Sequence, residues 1–143
     1  MSAEENKAAI QRWIEEAWNK GNINIADEIY ASNYTAQDIE DPNKVLRGPE
    51  GIKQSVIKMR TALPDIHFTI DHLVAEADKV VGAFTIRGTH KGDLGSIPPT
   101  GKQVVFKAID IWRFEGGKIV ERCLAVVDRL GMMQQLGVVQ KAG

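Results

Sequence analysis

Asp110 is the residue of this chain best placed to do chemistry, because its sequence neighbours isolate it. In the extended run QVVFKAIDIWRFE, alternate residues share a side, so Phe106, Ala108, Asp110, Trp112 and Phe114 face one way. A carboxylate among bulky apolar groups is either a paired structural group or a group with ionisation shifted far enough to move protons. The next run, KIVERCLAVV, comes after the hairpin turn Glu115-Gly116-Gly117, whose glycines accept positive φ. A turn centred on Gly116 sets Arg122 opposite Asp110 and Leu124 opposite Ala108, with Val120, Arg122, Leu124 and Val126 on the same face. Asp110 could then take an acidic proton from a carbon flanked by carbonyls, with Arg122 holding a carboxylate, ester or enolate oxygen. The two could equally form a cross-strand structural ion pair. Burial raises the Asp110 pKa and Arg122 lowers it, and the residues alone leave both readings open.

Other candidates have plainer alternatives. His90 sits where a strand enters a glycine-containing loop, as a proton shuttle or as a loop anchor. Asp128 directly precedes the last helix and reads as its N-cap, although its parity also allows it to face a cavity mouth. Trp18, Tyr34 and Trp112 could line an apolar pocket or simply fill the core, and Ile97-Pro98-Pro99 reads as a stiff lip. The lone Cys123 reads as core packing. His67 and His72 have no metal-like spacing, and GxSxG, HExxH, P-loop and GxGxxG signatures are absent from the sequence. The expected chemistry therefore uses neither metal nor cofactor.

These groups must be positioned by a single domain spanning residues 1–143. The chain is 43% hydrophobic and 26% charged, an ordinary globular composition. A net charge of -1 with scattered Lys and Arg argues against nucleic-acid or anionic-membrane partners. No apolar run approaches the roughly 20 residues that span a bilayer. The acidic, polar start lacks signal-peptide blocks, so a cytoplasmic location is expected.

Ile10, Trp13, Ile14, Ala17 and Trp18 predict a helix over 3–20, ended by Gly21. A shorter helix is expected over 24–31, then a polar irregular stretch over 34–46. Pro49 opens a third helix carrying Ile52, Val56, Met59 and Leu63 inward. Strands are expected over 66–77, 79–90, 103–114 and 118–127, and a short helix then turns Leu130, Met133 and Leu136 inward. Helices first and antiparallel strands after define an α+β domain, with a curved sheet around the helices and a cavity between them. The second face of the last hairpin is also apolar: Val105, Lys107, Ile109, Ile111 and Arg113, with Ile119, Glu121, Cys123, Ala125 and Val127. A sheet apolar on both sides has both covered, so a homodimer through the outer face is expected.

Several segments carry a family resemblance. They are Ala17-Trp18-Asn19-Lys20-Gly21, Arg47-Gly48-Pro49, Gly88-Thr89-His90-Lys91-Gly92 and Ile97-Pro98-Pro99-Thr100-Gly101-Lys102. With Arg113-Phe114-Glu115-Gly116-Gly117-Lys118-Ile119-Val120-Glu121, Asp128 and Gln134-Gln135-Leu136-Gly137, they cover nearly the whole chain in order. The chain resembles the SnoaL-like polyketide cyclases and the wider predicted ester cyclases, which have the cone-shaped fold of nuclear transport factor 2, ketosteroid isomerase and scytalone dehydratase. The resemblance implies a mostly antiparallel sheet wrapped around about three helices, and a cavity for a small apolar oxygenated molecule. It implies metal-free, cofactor-free aldol cyclisation or isomerisation. It also implies that Tyr34 and Asp38 line the pocket, where the residue pattern also sets Trp18, His90, Ile97, Trp112 and Leu124 as expected substrate contacts. Family cyclases use an aspartate on the last strand, helped by a histidine on the strand before it. By position the histidine falls on Asp110 and the aspartate on Leu124, which cannot accept a proton. Asp110 with Arg122 becomes the expected catalytic pair, and a non-catalytic binding or dimeric scaffold protein is the alternative.

Overall fold

The computed structural model describes residues 2–140. Ser2 starts the first helix with a capping box: its hydroxyl accepts the Glu5 N–H at 3.1 Å, and the Glu5 carboxylate accepts the Ser2 N–H at 3.3 Å. Helix α1 (Ala3–Trp13) buries Ile10 and Trp13. Its winding then loosens into a π-helical stretch, Ile14–Asn19, which ends at Gly21 with φ +81° as the sequence predicts. The expected helix over 3–20 is therefore present in extent, with a change of pitch in its last third. That stretch carries Trp18, stacked on Phe68 with ring centroids 4.6 Å apart. The Asn19 amide then acts as a mock strand: it donates to the Phe68 carbonyl at 3.1 Å and accepts the Phe68 N–H at 2.7 Å.

A 3-10 turn (Ile23–Ile25) and the single helical turn α2 (Ala26–Ile29) replace the helix expected over 24–31. At Tyr30 the backbone becomes extended, and β1 (Tyr30–Gln37) begins inside a region expected to be helical and then irregular. Strand β2 (Val45–Arg47) returns antiparallel to it. Helix α3 (Gly48–Ala62) has Pro49 in its first turn and buries Ile52 and Val56. Strands β3 (His67–Glu76), β4 (Lys79–Thr89), β5 (Gln103–Glu115) and β6 (Lys118–Val127) come next, then α4 (Arg129–Leu136). Helix α4 turns Met132 and Leu136 into the core, while Leu130, expected inside, is 60% exposed.

The six strands form one sheet in the order β2-β1-β6-β5-β4-β3, antiparallel except for the β1–β6 pair. Helix α1 packs against β3 and β4, α3 against β1, and α4 against β5. The core between sheet and helices is dense with Trp13, Tyr30, Tyr34, Phe84, Trp112 and aliphatic side chains. The fold is the expected α+β cone, an open mixed sheet around its helices. Among the described residues, no helix is long and apolar enough to cross a membrane.

The β5–β6 register differs from the expected one. Phe114 pairs with Ile119 but Arg113 with Glu121, and Trp112 pairs with Arg122 but Ile111 with Leu124. Val120 and Cys123 are thus extra residues on β6, two bulges that each reverse the parity of the residues beyond them. The inner side of β6 presents Ile119, Arg122, Ala125 and Val127, whereas Leu124 and Val126 lie outside, 45% and 53% exposed. Cys123 is exposed instead of packed in the core.

Candidate functional site

Strand β5 keeps the alternation read from the sequence. Phe106, Ala108, Trp112 and Phe114 are buried, and Asp110 shares their inner face. Asp110 lies opposite Ala125 on one side and Gly82 on the other, not opposite Arg122. Arg122 stands beside Trp112 and across from Ala36 of β1. Gly82 is required there, since a Cβ at this position would come within 2.4 Å of the Phe84 ring and 3.2 Å of Trp112. Three adjacent strands therefore turn Asp110, Arg122, Tyr34 and Tyr30 toward one interior.

The Asp110 carboxyl is pushed up from 3.8 to about 6, chiefly because burial disfavours its charge, while the Arg122 guanidinium pulls it partly back. The residue is partly buried and keeps some solvent contact, with its carboxyl turned to the inner face. The two groups sense each other without an ion pair: the Arg122 Nη2 donates to the Gln37 carbonyl at 2.8 Å. Tyr30 and Tyr34 are buried, and neither hydroxyl has a hydrogen-bond partner among the described residues. The Trp112 indole approaches the Tyr30 hydroxyl without completing a bond of good geometry. Burial raises both phenols, with Asp110 pushing in the same direction and Arg122 opposing it. The rings are held edge to face, Trp13 to Tyr30 at 4.9 Å and Tyr30 to Tyr34 at 4.7 Å. A carboxyl titrating near 6 beside a guanidinium and two phenolic donors is chemically a base with oxyanion partners.

A pocket of about 120 Å³ opens between α3 and the β1–β2 connection, with Trp18, Ile52, Met59, Leu94 and Arg122 on its wall and Asp38 and Glu40 at its rim. Arg122 is the group common to this pocket and the buried cluster. Asp110, Tyr34 and Trp112 are not on its wall.

The structure brings together Asp110, Arg122, Tyr34 and Trp112, with Trp18 nearby in the pocket. It separates others. Leu124 is on the outer face: the turn is the two residues Gly116-Gly117, which starts β6 one residue out of the expected register, and the two bulges cancel in parity beyond Cys123. Ile97 pairs with Leu94 in a small bridge, and Leu94, not Ile97, reaches the pocket. Asp38 is at the pocket, but its carboxylate accepts the Glu40 and Asp41 N–H groups at 2.8 and 3.2 Å. His90 is buried as a loop anchor: its Nδ1 accepts the Thr100 N–H at 3.2 Å and contacts the Thr100 hydroxyl at 3.0 Å. That leaves the proton of the neutral ring on Nε2, which has no partner. Asp128 is the N-cap of α4, accepting the Gly131 N–H at 2.9 Å. Tyr30 was missed because it falls in the stretch read as helix; its even spacing with Tyr34 and Ala36 was the available signal.

The fold is an α+β cone that carries this cluster on its inner face. The chain belongs to the SnoaL-like polyketide cyclase family, whose model matches residues 8–136. It is similar in structure to TsrD from Streptomyces laurentii, at 26% identity over 97% of this chain and 99% of that one, with a TM-score of 0.87. It is also similar to a candidate polyketide cyclase from Acidithiobacillus ferrooxidans (33% identity, 96% and 99% coverage, TM-score 0.83). A third is IdmH, a candidate polyketide cyclase from Streptomyces antibioticus (27% identity, 92% and 98% coverage, TM-score 0.78). No curated protein matches the chain.

Proposed function

We propose that this protein binds a small, mainly apolar, oxygenated molecule in its cone and catalyses a cofactor-free proton-transfer reaction, an aldol-type cyclisation or an isomerisation. The observation that carries the reading is the unpaired Asp110 carboxyl, held near 6 on the inner face beside Arg122 and two partnerless phenols. Asp110 removes a proton from a carbon flanked by carbonyls. Arg122 and the Tyr34 hydroxyl hold the enolate oxygen, with Tyr30 behind. In a cyclisation the enolate carbon bonds to a carbonyl carbon of the same molecule, and the new alkoxide takes the proton back from Asp110. Atoms and electrons balance without a redox partner.

The test is turnover of a β-dicarbonyl compound by the wild-type chain and by Asp110→Asn. A loss of at least ~100-fold with the fold intact is expected; unchanged turnover defeats the assignment. A non-catalytic binding protein is the second reading, favoured by an inner face of β6 that offers Arg122, Ala125 and Val127 but no second acid beside Asp110, and by a pocket wall that stops at Arg122. It predicts ligand binding without turnover in either protein.

The pairing surface of this proposal is the outer sheet face, where Val74, Val81, Val105, Ile109, Leu124 and Val126 are exposed. A homodimer through that face is expected in light scattering, and a mass near 15.8 kDa would refute it.

A further inference from the structure

At the pocket rim a single carboxylate bridges two helices. Glu40, in the β1–β2 connection, accepts from Lys58 of α3 through Oε2 at 2.7 Å and from Arg129 of α4 through Oε1 at 2.9 Å. Among the described residues these cations have no other acidic partner, and both are substantially exposed. Arg122, on the same wall, is satisfied only by a backbone carbonyl. The nearby Asp38 is committed to its own turn and to Lys44 at 3.9 Å. Below the rim the wall is apolar: Trp18, Ile52, Met59 and Leu94.

We propose that Lys58 and Arg129 form an anion subsite at the pocket rim, filled in the free protein by Glu40, and that the ligand is an amphiphile with a carboxylate on an apolar body. The inference rests on the reading of this pocket as the ligand entrance. Two oxygens bridging two cations is the geometry that an incoming carboxylate can copy. An incoming carboxylate takes over both cations as the exposed Glu40 side chain swings out to solvent. A neutral ligand gains nothing there, and a cationic one meets Lys58, Arg129 and Arg122 together. The apolar body takes the aromatic and aliphatic wall.

The test tracks backbone amide NMR shifts of the full chain at neutral pH, titrated with phenylacetate and, separately, with its methyl ester. Phenylacetate is expected to displace Glu40 and shift the amides of Glu40, Lys58 and Arg129, which the ester leaves in place. Glu40→Gln, which removes the internal competitor, should tighten phenylacetate about fivefold, the gain of two exposed ion pairs, and leave the ester unchanged. Adding Lys58→Gln with Arg129→Gln should erase that gain, as should salt raised to about 0.5 M. Equal affinity of the two compounds for Glu40→Gln overturns the subsite. So does tightening of both by Glu40→Gln, the signature of a loop that has merely loosened. Shifts located elsewhere, or no binding of either compound, also overturn it. Ester binding without acid preference removes this inference alone, whereas loss of binding by both removes the entrance reading with it.

Discussion

Asp110 and Glu40 are two carboxylates of one cone, and their surroundings drive them in opposite directions. Glu40 lies at the rim, where Lys58 and Arg129 hold its carboxyl below the ordinary 4.5. Asp110 lies on the inner face, where burial lifts its carboxyl to about 6 and no partner is close enough to reverse it. Charge is stabilised at the rim and penalised inside. A carboxylate among counterions stays ionised in mild acid; one the fold leaves partly uncompensated holds its proton to higher pH.

The contrast is broken most directly by Asp110→Asn. Beyond the loss of turnover, activity of the wild-type chain should rise through pH about 6 and level off above it, since only the ionised carboxylate accepts a proton. A flat profile across that range would remove Asp110 from the base role. Stability should move the opposite way. Below 3.8 both folded and unfolded chains are protonated at this group; between 3.8 and about 6 the unfolded chain gives up its proton first, so stability falls as pH rises. Above pH 6 the penalty approaches about 3 kcal/mol by linkage. Asp110→Asn should therefore raise the urea midpoint at pH 8 and leave it nearly unchanged at pH 3.5, where an equal rise at both would contradict the burial account.

Gly82→Ala sharpens the comparison on the packing side. Its methyl would enter the Phe84 ring beside Asp110, at a cost of about 1–3 kcal/mol in urea unfolding, and a neutral result would mean the inner wall yields easily. Tyr34→Phe separates support from chemistry. It deletes a buried hydroxyl with no protein partner, so stability should hold or rise slightly, while turnover drops about tenfold. A large loss of stability instead would mark the hydroxyl as structural. The smallest effect belongs to the rim. Lys58→Gln should cost less than about 1 kcal/mol. Because the Glu40 carboxyl is depressed, its contribution is present above pH 4.5 and lost as pH falls through its folded value, so the Lys58→Gln deficit should vanish in acid unfolding.

Periodicity governs how much of this was legible in the sequence. The inner face of β5 was legible because Phe106, Trp112 and Phe114 mark it on both sides of Asp110. Helix α3 was legible from Pro49 and its apolar spacing. Strand β6 was not, because both its faces carry apolar residues, and a bulge leaves no compositional trace when either parity looks acceptable. Leu124 changed sides because the turn is Gly116-Gly117 and not centred on Gly116, an offset that the two bulges together leave in place. Strand β1 was hidden for a different reason. YASNYTAQ buries only Tyr30, Tyr34 and Ala36, and its strand character comes from pairing with β6 far along the chain. The inner face was thus half visible: Asp110 and Arg122 share it as read, but in another register, and Tyr30 was unseen.

The parallel seam between β1 and β6 has a kinetic consequence. The Arg122 guanidinium meets the Gln37 carbonyl across 85 residues of intervening chain. Helices and the β3–β4 hairpin can form early from local contacts, but this seam must wait for a long loop to close. During synthesis the inner wall therefore assembles only after β6 has emerged, so the newborn chain can form its local elements before Arg122 and Tyr34 come to face one another.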